Sequence, residues 1–385
     1  MTASRPLIPV ARPLLGEREA DAARRAILSG WVTQGPEVAG FEREFAAAVG
    51  APHACAVSSC TTALHLALVA VGVGAGDEVV TASHSFIATA NAVRYCGALP
   101  VFVDVELDTF NLDPALVDAA ITPRTKAILA VHQLGMPCDM ASLAATARRH
   151  GIPLVEDAAC AIGSEIKWQG GWQRIGQPHG DLACFSFHPR KLLSTGDGGM
   201  IVTARPEIDA RLRLLRQHGM SVPDTVRHAS SQVVFEEYPI VGFNYRMTDI
   251  QAAIGREQLQ RLPEIVERRR ALAARYDAAL AGHPRVIVPR EPEWARSNWQ
   301  TYAVRLRGAD QRAVMQRMLD DGVATRRGVM NAHLEAAYPP GTWRAAGSLG
   351  RGEEAQATAV VLPLFHQMTD EEQSRVVSSL TGALG

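Results

Sequence analysis

Residues 185–200 read FSFHPRKLLSTGDGGM, and they are the most informative stretch of the sequence. The apolar beginning continues the run DLACFSF, which is typical of a buried strand, and the end, STGDGG, is typical of a glycine-rich bend. Lys191 stands between the two, with one acidic residue, Asp197, close to it in sequence. A lysine in that place differs from ordinary surface lysines, which lie on polar helix faces. The common alternative is a solvated loop lysine, and a second motif is needed to decide between the two.

The second motif, IPLVEDAACAIG over residues 152–163, predicts a buried strand that carries Glu156 and Asp157 at its carboxyl end. In open α/β sheets the ligand crevice lies outside the carboxyl ends of the strands. Asp157 and a lysine 34 residues later are the pair that a pyridoxal 5′-phosphate (PLP) enzyme needs. The lysine holds the cofactor, and the carboxylate keeps the pyridine nitrogen protonated, which makes the ring an electron sink. A helix cap or a buried ion pair is the structural alternative for Asp157.

Composition excludes several other classes of protein. The 385 residues are 47% hydrophobic and 21% charged, with a formal net charge of −1, which describes a globular chain without a basic field for nucleic acid. The apolar runs fall short of the roughly 18 residues of a membrane helix. The six cysteines are scattered without a CxxC pair, and the amino-terminal stretch has no signal-peptide core, so we expect reduced thiols and a cytoplasmic location. Histidine spacings predict no metal site.

From about residue 53 to residue 187, apolar strand-like runs alternate with amphipathic helical runs. This alternation predicts an α/β fold with a mostly parallel sheet covered on both faces. The pattern changes at Thr248, a candidate cap for a long helical stretch with a kink at Pro263. We therefore predict a large domain over residues 1–247 and a smaller α+β domain over residues 248–385. The polar region 220–240 is interpreted as a mobile active-site loop or as ordinary surface.

Two further motifs suit parts of a PLP molecule. The stretch VSSCTTALHLAL passes from strand to helix through hydroxyl side chains, and the free amides of a helix start favour an anion such as a phosphate. The alternative is that these side chains only cap the helix. Phe86, in SHSFIATAN, follows a predicted strand and could stack on a flat ring, or it could be a core phenylalanine.

Taken together, these and further motifs resemble the sugar aminotransferases of the DegT/DnrJ/StrS group, within the fold-type I PLP-dependent transferases. The resemblance runs in family order from about residue 8 to residue 380. It rests on VSSCTTALHLAL, SFIATANAV, HQLGMPCDM, VEDAACAIG, FSFHPRKLLSTGDGGM, GFNYRMTDIQAAIG and VLPLFHQMT. It implies transfer of an amino group from glutamate or glutamine to a keto-sugar joined to a nucleotide, such as a keto-deoxyhexose.

The resemblance also implies roles for single residues. Lys191 would hold PLP covalently, Asp157 would pair with the pyridine nitrogen, and Phe86 would stack on the ring. The phosphate would be held by Ser186, by the backbone of Cys60 and Thr61, and by the Thr61 hydroxyl. Asn244 would reach the phosphate bound by the neighbouring subunit, so the active unit would be a homodimer with shared sites.

The sequence departs from the family pattern at three positions. Cys160 stands where glutamine is frequent near the cofactor's 3′-oxygen, which leaves open how that oxygen is held. Cys60 stands where glycine is frequent, and Asp197 replaces a common glutamate. Both are compatible with phosphate binding, because backbone amides hold the phosphate whatever the side chain.

Three alternative functions remain beside this interpretation. Some relatives carry histidine in place of the lysine and dehydrate sugars, and Lys191 argues against that chemistry. A non-catalytic regulator that senses a sugar nucleotide would not need both Lys191 and Asp157. An aminotransferase acting on a cyclitol or on an aminobenzoate precursor is compatible with all the motifs.

Overall fold

The computed structural model describes residues 6–222, 227 and 230–385, and its centre is an eight-stranded sheet. The strands of the chain are β1 His53–Val57, β2 Glu78–Ala82, β3 Leu99–Val103, β4 Thr125–Val131, β5 Leu154–Asp157, β6 Glu165–Trp168, β7 Gly171–Arg174, β8 Leu182–Ser186, β9 Gly199–Thr203, β10 Val286–Ile287, β11 Ala295–Arg296, β12 Tyr302–Leu306, β13 Arg326–Arg327, β14 Arg344–Ala345 and β15 Ala359–Leu362.

The central sheet has the order β1-β9-β8-β5-β4-β2-β3-β14. All neighbours from β8 to β14 pair in parallel, whereas β9 runs antiparallel to both β1 and β8. Parallel strands need crossover connections, and the helices between them cover the two faces of the sheet. The predicted α/β fold with a mostly parallel sheet is confirmed.

Helices occupy most of the remaining regular structure. They are α1 Glu17–Ser29, α2 Pro36–Val49, α3 Cys60–Ala70, α4 Ile87–Tyr95, α5 Pro114–Ala120, α6 Met140–His150, α7 Pro206–Leu215, α8 Asp249–Gln260, α9 Leu262–Leu280, α10 Gln311–Asp320, α11 Gly350–Thr358 and α12 Asp370–Leu384. Within residues 6–222, 227 and 230–385, no helix has both the length and the apolar character needed to cross a bilayer.

The long helical stretch predicted after Thr248 is two helices that meet at Arg261. The Thr248 side chain accepts a hydrogen bond from the Gln251 amide and caps α8, as predicted. Pro263 lies in the first turn of α9, where its missing N–H costs no helical hydrogen bond. The predicted kink is therefore a break: α8 ends at Gln260, and α9 begins at Leu262, one residue before the proline, which could not continue α8.

The described residues form several hydrophobic cores, and two of them bear on the predicted division of the chain. The first packs α2 and α8 against the central sheet, and the second packs α9, α10 and α12 around the small sheet β10-β12-β15-β13. Ala252 and Leu259 of α8 belong to the first core, whereas Ile8 of the amino-terminal segment belongs to the second. The division of the chain after residue 247 stays a prediction.

The sequence-based prediction missed several short strands and helices, and the hairpin β6–β7 and strand β9 are two of them. The hairpin β6–β7, joined to β11, forms a three-stranded sheet from the polar run EIKWQGGWQR. Its glycine pair was a turn signal, but too few apolar residues flank it to indicate a strand. Strand β9, which follows the glycine bend directly, was also absent from the prediction. It turns the chain back beside β8 and so holds the bend next to the start of α3.

Gly199 of β9 lets the start of α3 approach the sheet closely. A Cβ atom at this position would lie 2.4 Å from the Ser59 carbonyl oxygen and 2.8 Å from the Cys60 amide nitrogen. These are backbone atoms, which cannot rotate away. The missing side chain therefore fixes the distance between the sheet and the first turn of α3.

We predict that Gly199→Ala lowers the free energy of unfolding by about 1–3 kcal/mol, the usual cost of overpacking a core. Gly171→Ala is the matched control, because a Cβ at Gly171 has no neighbour within 4 Å. Thermal unfolding of the two variants and the parent measures the difference. An unchanged midpoint for Gly199→Ala would show that α3 can shift freely.

Candidate active site

A cavity of about 400 Å³ lies at the carboxyl ends of β4, β5 and β8. The starts of α3 and α4 form one wall, and segments of the second core, including residues 326–330, form the other. The predicted residues that line it are Cys60, Thr61, Phe86, Asp157, Cys160, Ser186 and Lys191. A larger groove of about 870 Å³ lies near the amino end of β5 and carries none of these side chains. The cavity at the carboxyl ends is therefore the candidate active site.

Asp157 is a buried carboxylate fixed by two donors. The Thr89 hydroxyl donates to Oδ2 at 2.7 Å, and the Ala159 amide donates to Oδ1 at 3.2 Å. Burial raises the pKa of Asp157, and the two hydrogen bonds and Lys191 oppose that rise without cancelling it. The side chain neither caps a helix nor forms an ion pair within the part of the chain that the structure describes. It therefore suits a cationic partner inside the cavity.

Lys191 places its amine in the same cavity. Its Nζ donates to Cys160 Sγ at 3.1 Å. Burial lowers the pKa of Lys191, but the sulfur atoms of Cys160 and Cys60 and the Asp157 carboxylate outweigh it, so the pKa lies above its ordinary value. A solvated loop lysine would have no such contact, and that alternative is excluded.

The start of α3 combines a cap with open amides. Ser59 Oγ accepts from the Thr62 amide at 3.1 Å, so the serine caps the helix. The amides of Cys60 and Thr61 and the Thr61 hydroxyl have no hydrogen-bond partner among residues 6–222, 227 and 230–385. Capping and anion binding are thus compatible here, because the cap uses a different amide. Ser186 lines the cavity and is almost completely buried.

These features fit the parts of PLP. The open amides of α3 suit the phosphate, the Asp157 carboxylate suits a protonated pyridine nitrogen, and Lys191 lies in the same cavity for covalent attachment. Phe86 is 61% exposed at the start of α4 and lines the cavity, so it is not a core phenylalanine. Its stacking on the ring stays a prediction. Cys160 contacts Lys191, and how the 3′-oxygen is held stays open.

Sequence reasoning missed the residues that orient Asp157. Thr89 donates its single hydroxyl proton to Asp157 and accepts a hydrogen bond from the Ser85 hydroxyl at 2.7 Å. The signal was a pair of hydroxyls four residues apart at the start of α4. His132 is the other such residue, because its backbone amide donates to the Asp157 carbonyl oxygen at 3.1 Å.

The His132 ring also ties β4 to β5. Its Nδ1 accepts from the Cys138 amide at 3.0 Å, which leaves Nε2 as the donor to Glu156 Oε2 at 2.9 Å. Glu156 Oε1 accepts from the Gly180 amide at 2.9 Å. Glu156 thus braces the end of the strand, on the side of the sheet opposite to Asp157.

Asn244 does not line the cavity of its own chain. Its side chain is exposed, and its Oδ1 accepts from Arg246 Nε at 3.2 Å. The sequence had assigned it to the phosphate of a neighbouring subunit, and that assignment stays a prediction.

Comparisons with known proteins identify the family of this chain. Residues 13–381 match the DegT/DnrJ/EryC1/StrS aminotransferase family. The chain is 36% identical over 378 residues to the spore coat polysaccharide biosynthesis protein SpsC of Bacillus subtilis (strain 168), covering 97% of this chain and 96% of SpsC.

Two solved structures extend the comparison. The aminotransferase TlmJ from Streptoalloteichus hindustanus is 36% identical, with a TM-score of 0.89 over 98% of this chain and 99% of TlmJ. Spr1654 from Streptococcus pneumoniae, solved in a PLP form, is 27% identical, with a TM-score of 0.89 over 98% of each chain. The chain therefore belongs to the DegT/DnrJ/EryC1/StrS aminotransferase family and is a PLP-dependent enzyme.

Proposed function

We propose that this sugar aminotransferase moves an amino group from glutamate or glutamine to a keto-sugar joined to a nucleotide, such as a keto-deoxyhexose. The observation that carries the proposal is the single cavity in which Lys191, the buried Asp157 and the open amides of α3 meet. The names of two relatives support a sugar as the acceptor substrate. SpsC is named for polysaccharide biosynthesis, and Spr1654 is named as a sugar aminotransferase.

The residues of the cavity have different roles in the proposed reaction. Bound PLP supplies the electron-withdrawing ring that lets a proton leave the donor's Cα. Asp157 would hold the pyridine nitrogen in its protonated form, and the hydrogen bond from Thr89 fixes the direction of the carboxylate. Once the amino donor had displaced Lys191 from the cofactor, the neutral amine of the lysine would accept the proton from Cα, and a positioned base contributes roughly 10²–10⁴-fold to such a step.

We also propose a cytoplasmic homodimer with shared sites. Three apolar side chains of one short segment, Val233, Phe235 and Val241, are 84%, 87% and 89% exposed. Such a concentration of exposed apolar side chains is typical of a surface that another protein chain covers. They lie close in sequence to Asn244, which would reach the neighbouring site. Part of the predicted loop 220–240, residues 223–226 and 228–229, lies outside the described residues. The six cysteines are all free, as a reducing compartment requires.

The identity of the acceptor substrate is tested by analysing the reaction products. The enzyme is incubated with glutamate or glutamine and a panel of keto-sugar nucleotides, cyclitol ketones and aminobenzoate precursors, followed by mass analysis. We expect a new amine on at least one sugar nucleotide. Amination of a cyclitol ketone alone would replace the nucleotide-sugar assignment, and no amination of any ketone would favour a sensor.

Asp157→Asn is expected to retain PLP but to slow the reaction with glutamate. An amide cannot hold the pyridine nitrogen protonated, and a hydrogen bond to a charged group is worth about 1.5–3 kcal/mol, which is roughly ten- to a hundredfold in rate. Stopped-flow absorbance of the glutamate half-reaction measures the loss. Thr89→Val is the companion variant, with a smaller loss, because it removes one donor and leaves the charge. A parental rate in Asp157→Asn would contradict the role.

Subunit mixing tests the shared site. Lys191→Ala and Asn244→Ala chains are each expected to be inactive at limiting PLP. A hybrid dimer has one site with both lesions and one with neither, so activity should recover to about half that of a parental dimer. Mixing Lys191→Ala with the double variant is the control, because no intact site can form. If subunit exchange is proven and activity stays absent, Asn244 serves its own chain.

A further inference from the structure

Two arginines line the active-site cavity without a carboxylate partner. Arg190 precedes Lys191 in the chain, and Arg326 begins β13 on the second core, across the cavity. Neither guanidinium forms a hydrogen bond or an ion pair with any residue in 6–222, 227 and 230–385. Both side chains are exposed to solvent at the cavity, and they come from two different parts of the fold.

Most neighbouring charges are already matched. Arg327, the next residue of β13, pairs with Glu335 at 3.3 Å, and Arg351 pairs with Asp113 at 2.7 Å. Of the two acidic residues that line the cavity, Asp157 suits the pyridine nitrogen, and Asp197 lies beyond ion-pair distance of both Arg190 and Arg326. The cavity consequently has an excess of positive charge that no described side chain neutralises.

A buried acceptor beside Arg190 gives an independent indication of a ligand. Gln300 is only 7% exposed and lines the cavity. Its Nε2 donates to the Arg190 carbonyl oxygen at 2.5 Å, which orients the amide. Its Oε1 has no partner in the described part of the chain. A buried acceptor left without a donor is costly, so this oxygen suits an N–H or O–H group of a bound molecule.

We propose that Arg190 and Arg326 bind an anionic group of the enzyme's substrates, and that Gln300 Oε1 accepts a hydrogen bond from the same molecule. The proposal rests on the proposed function and deepens it. The cofactor's phosphate has its own donors at the start of α3, so these arginines serve the substrates. Guanidinium groups bind carboxylate and phosphate through paired hydrogen bonds. The anion is therefore the carboxylate of the amino donor or the phosphate of the sugar nucleotide.

The first experiment measures binding without turnover. Calorimetry on the PLP-loaded enzyme uses glutarate as the carboxylate probe and inorganic pyrophosphate as the phosphate probe. Arg190→Gln and Arg326→Gln are compared with Arg312→Gln, which removes the same charge from an exposed site on α10 outside the cavity. Cofactor content and thermal midpoint are checked for each variant, so that a folding defect is recognised.

We expect each cavity variant to bind at least one probe about tenfold more weakly, and Arg312→Gln to bind both as the parent does. Arg326→Lys should recover part of the loss, because it keeps the charge but not the paired hydrogen bonds. Weaker glutarate binding identifies the donor as the source of the anion, and weaker pyrophosphate binding identifies the acceptor. Parental affinity for both probes in both variants would overturn the proposal, as would no binding of either probe to the parent.

Half-reaction kinetics separate this proposal from the proposed function. If glutamate converts the bound cofactor more slowly in Arg190→Gln or Arg326→Gln, with a raised KM and a nearly unchanged kcat, the arginines bind the donor. If the probes bind as expected and no keto-sugar nucleotide is aminated, the sugar assignment fails while the anion site stands. Slowed half-reactions with parental probe binding would reject the anion site.

Discussion

The carboxylate of Asp157 is buried at the carboxyl end of β5 without an ion-pair partner among the described residues, and the rest of the site depends on it. A buried charge is costly unless it is hydrogen-bonded and balanced. Thr89 and the Ala159 amide supply hydrogen bonds, but they supply no positive charge. The fold therefore maintains a raised pKa at this carboxyl, which a protonated pyridine nitrogen would relieve. A cofactor bound with its pyridine nitrogen towards Asp157 would supply the missing positive charge.

Two further contacts fix the position of the Asp157 carboxylate relative to the start of α3 and the Lys191 bend. The His132–Glu156 pair joins the ends of β4 and β5. Gly199 lets the first turn of α3 lie against β9, so the open amides of that helix remain beside the Lys191 bend. Because each contact is made by backbone atoms or buried groups, the cavity is largely formed before any ligand arrives, which limits the reorganisation needed on binding.

Much of the fold and of the candidate site was predictable from the sequence, because it depends on short-range sequence patterns. The alternation of strands and helices, the Thr248 cap and the positions of Asp157 and Lys191 follow from caps, apolar periodicity and strand ends. The role of Thr89 was not predicted, because the pair of hydroxyls at the start of α4 acquires a role only when it lies beside the carboxyl end of β5. The convergence of Arg326 with Arg190 was hidden too, because residues 136 apart in sequence meet only when the second core closes over the sheet. The roles of Phe86 and Asn244 stay predictions.

The central claim is that Lys191 carries PLP in the cavity that contains Asp157. The most direct measurement is borohydride reduction of the PLP-loaded protein, followed by proteolysis and mass spectrometry of the modified peptide. We predict a visible absorbance band that reduction removes, and a pyridoxyl group on Lys191 alone, with no adduct in Lys191→Ala. The same adduct in Lys191→Ala, or a modified lysine elsewhere in the parent, would contradict the account.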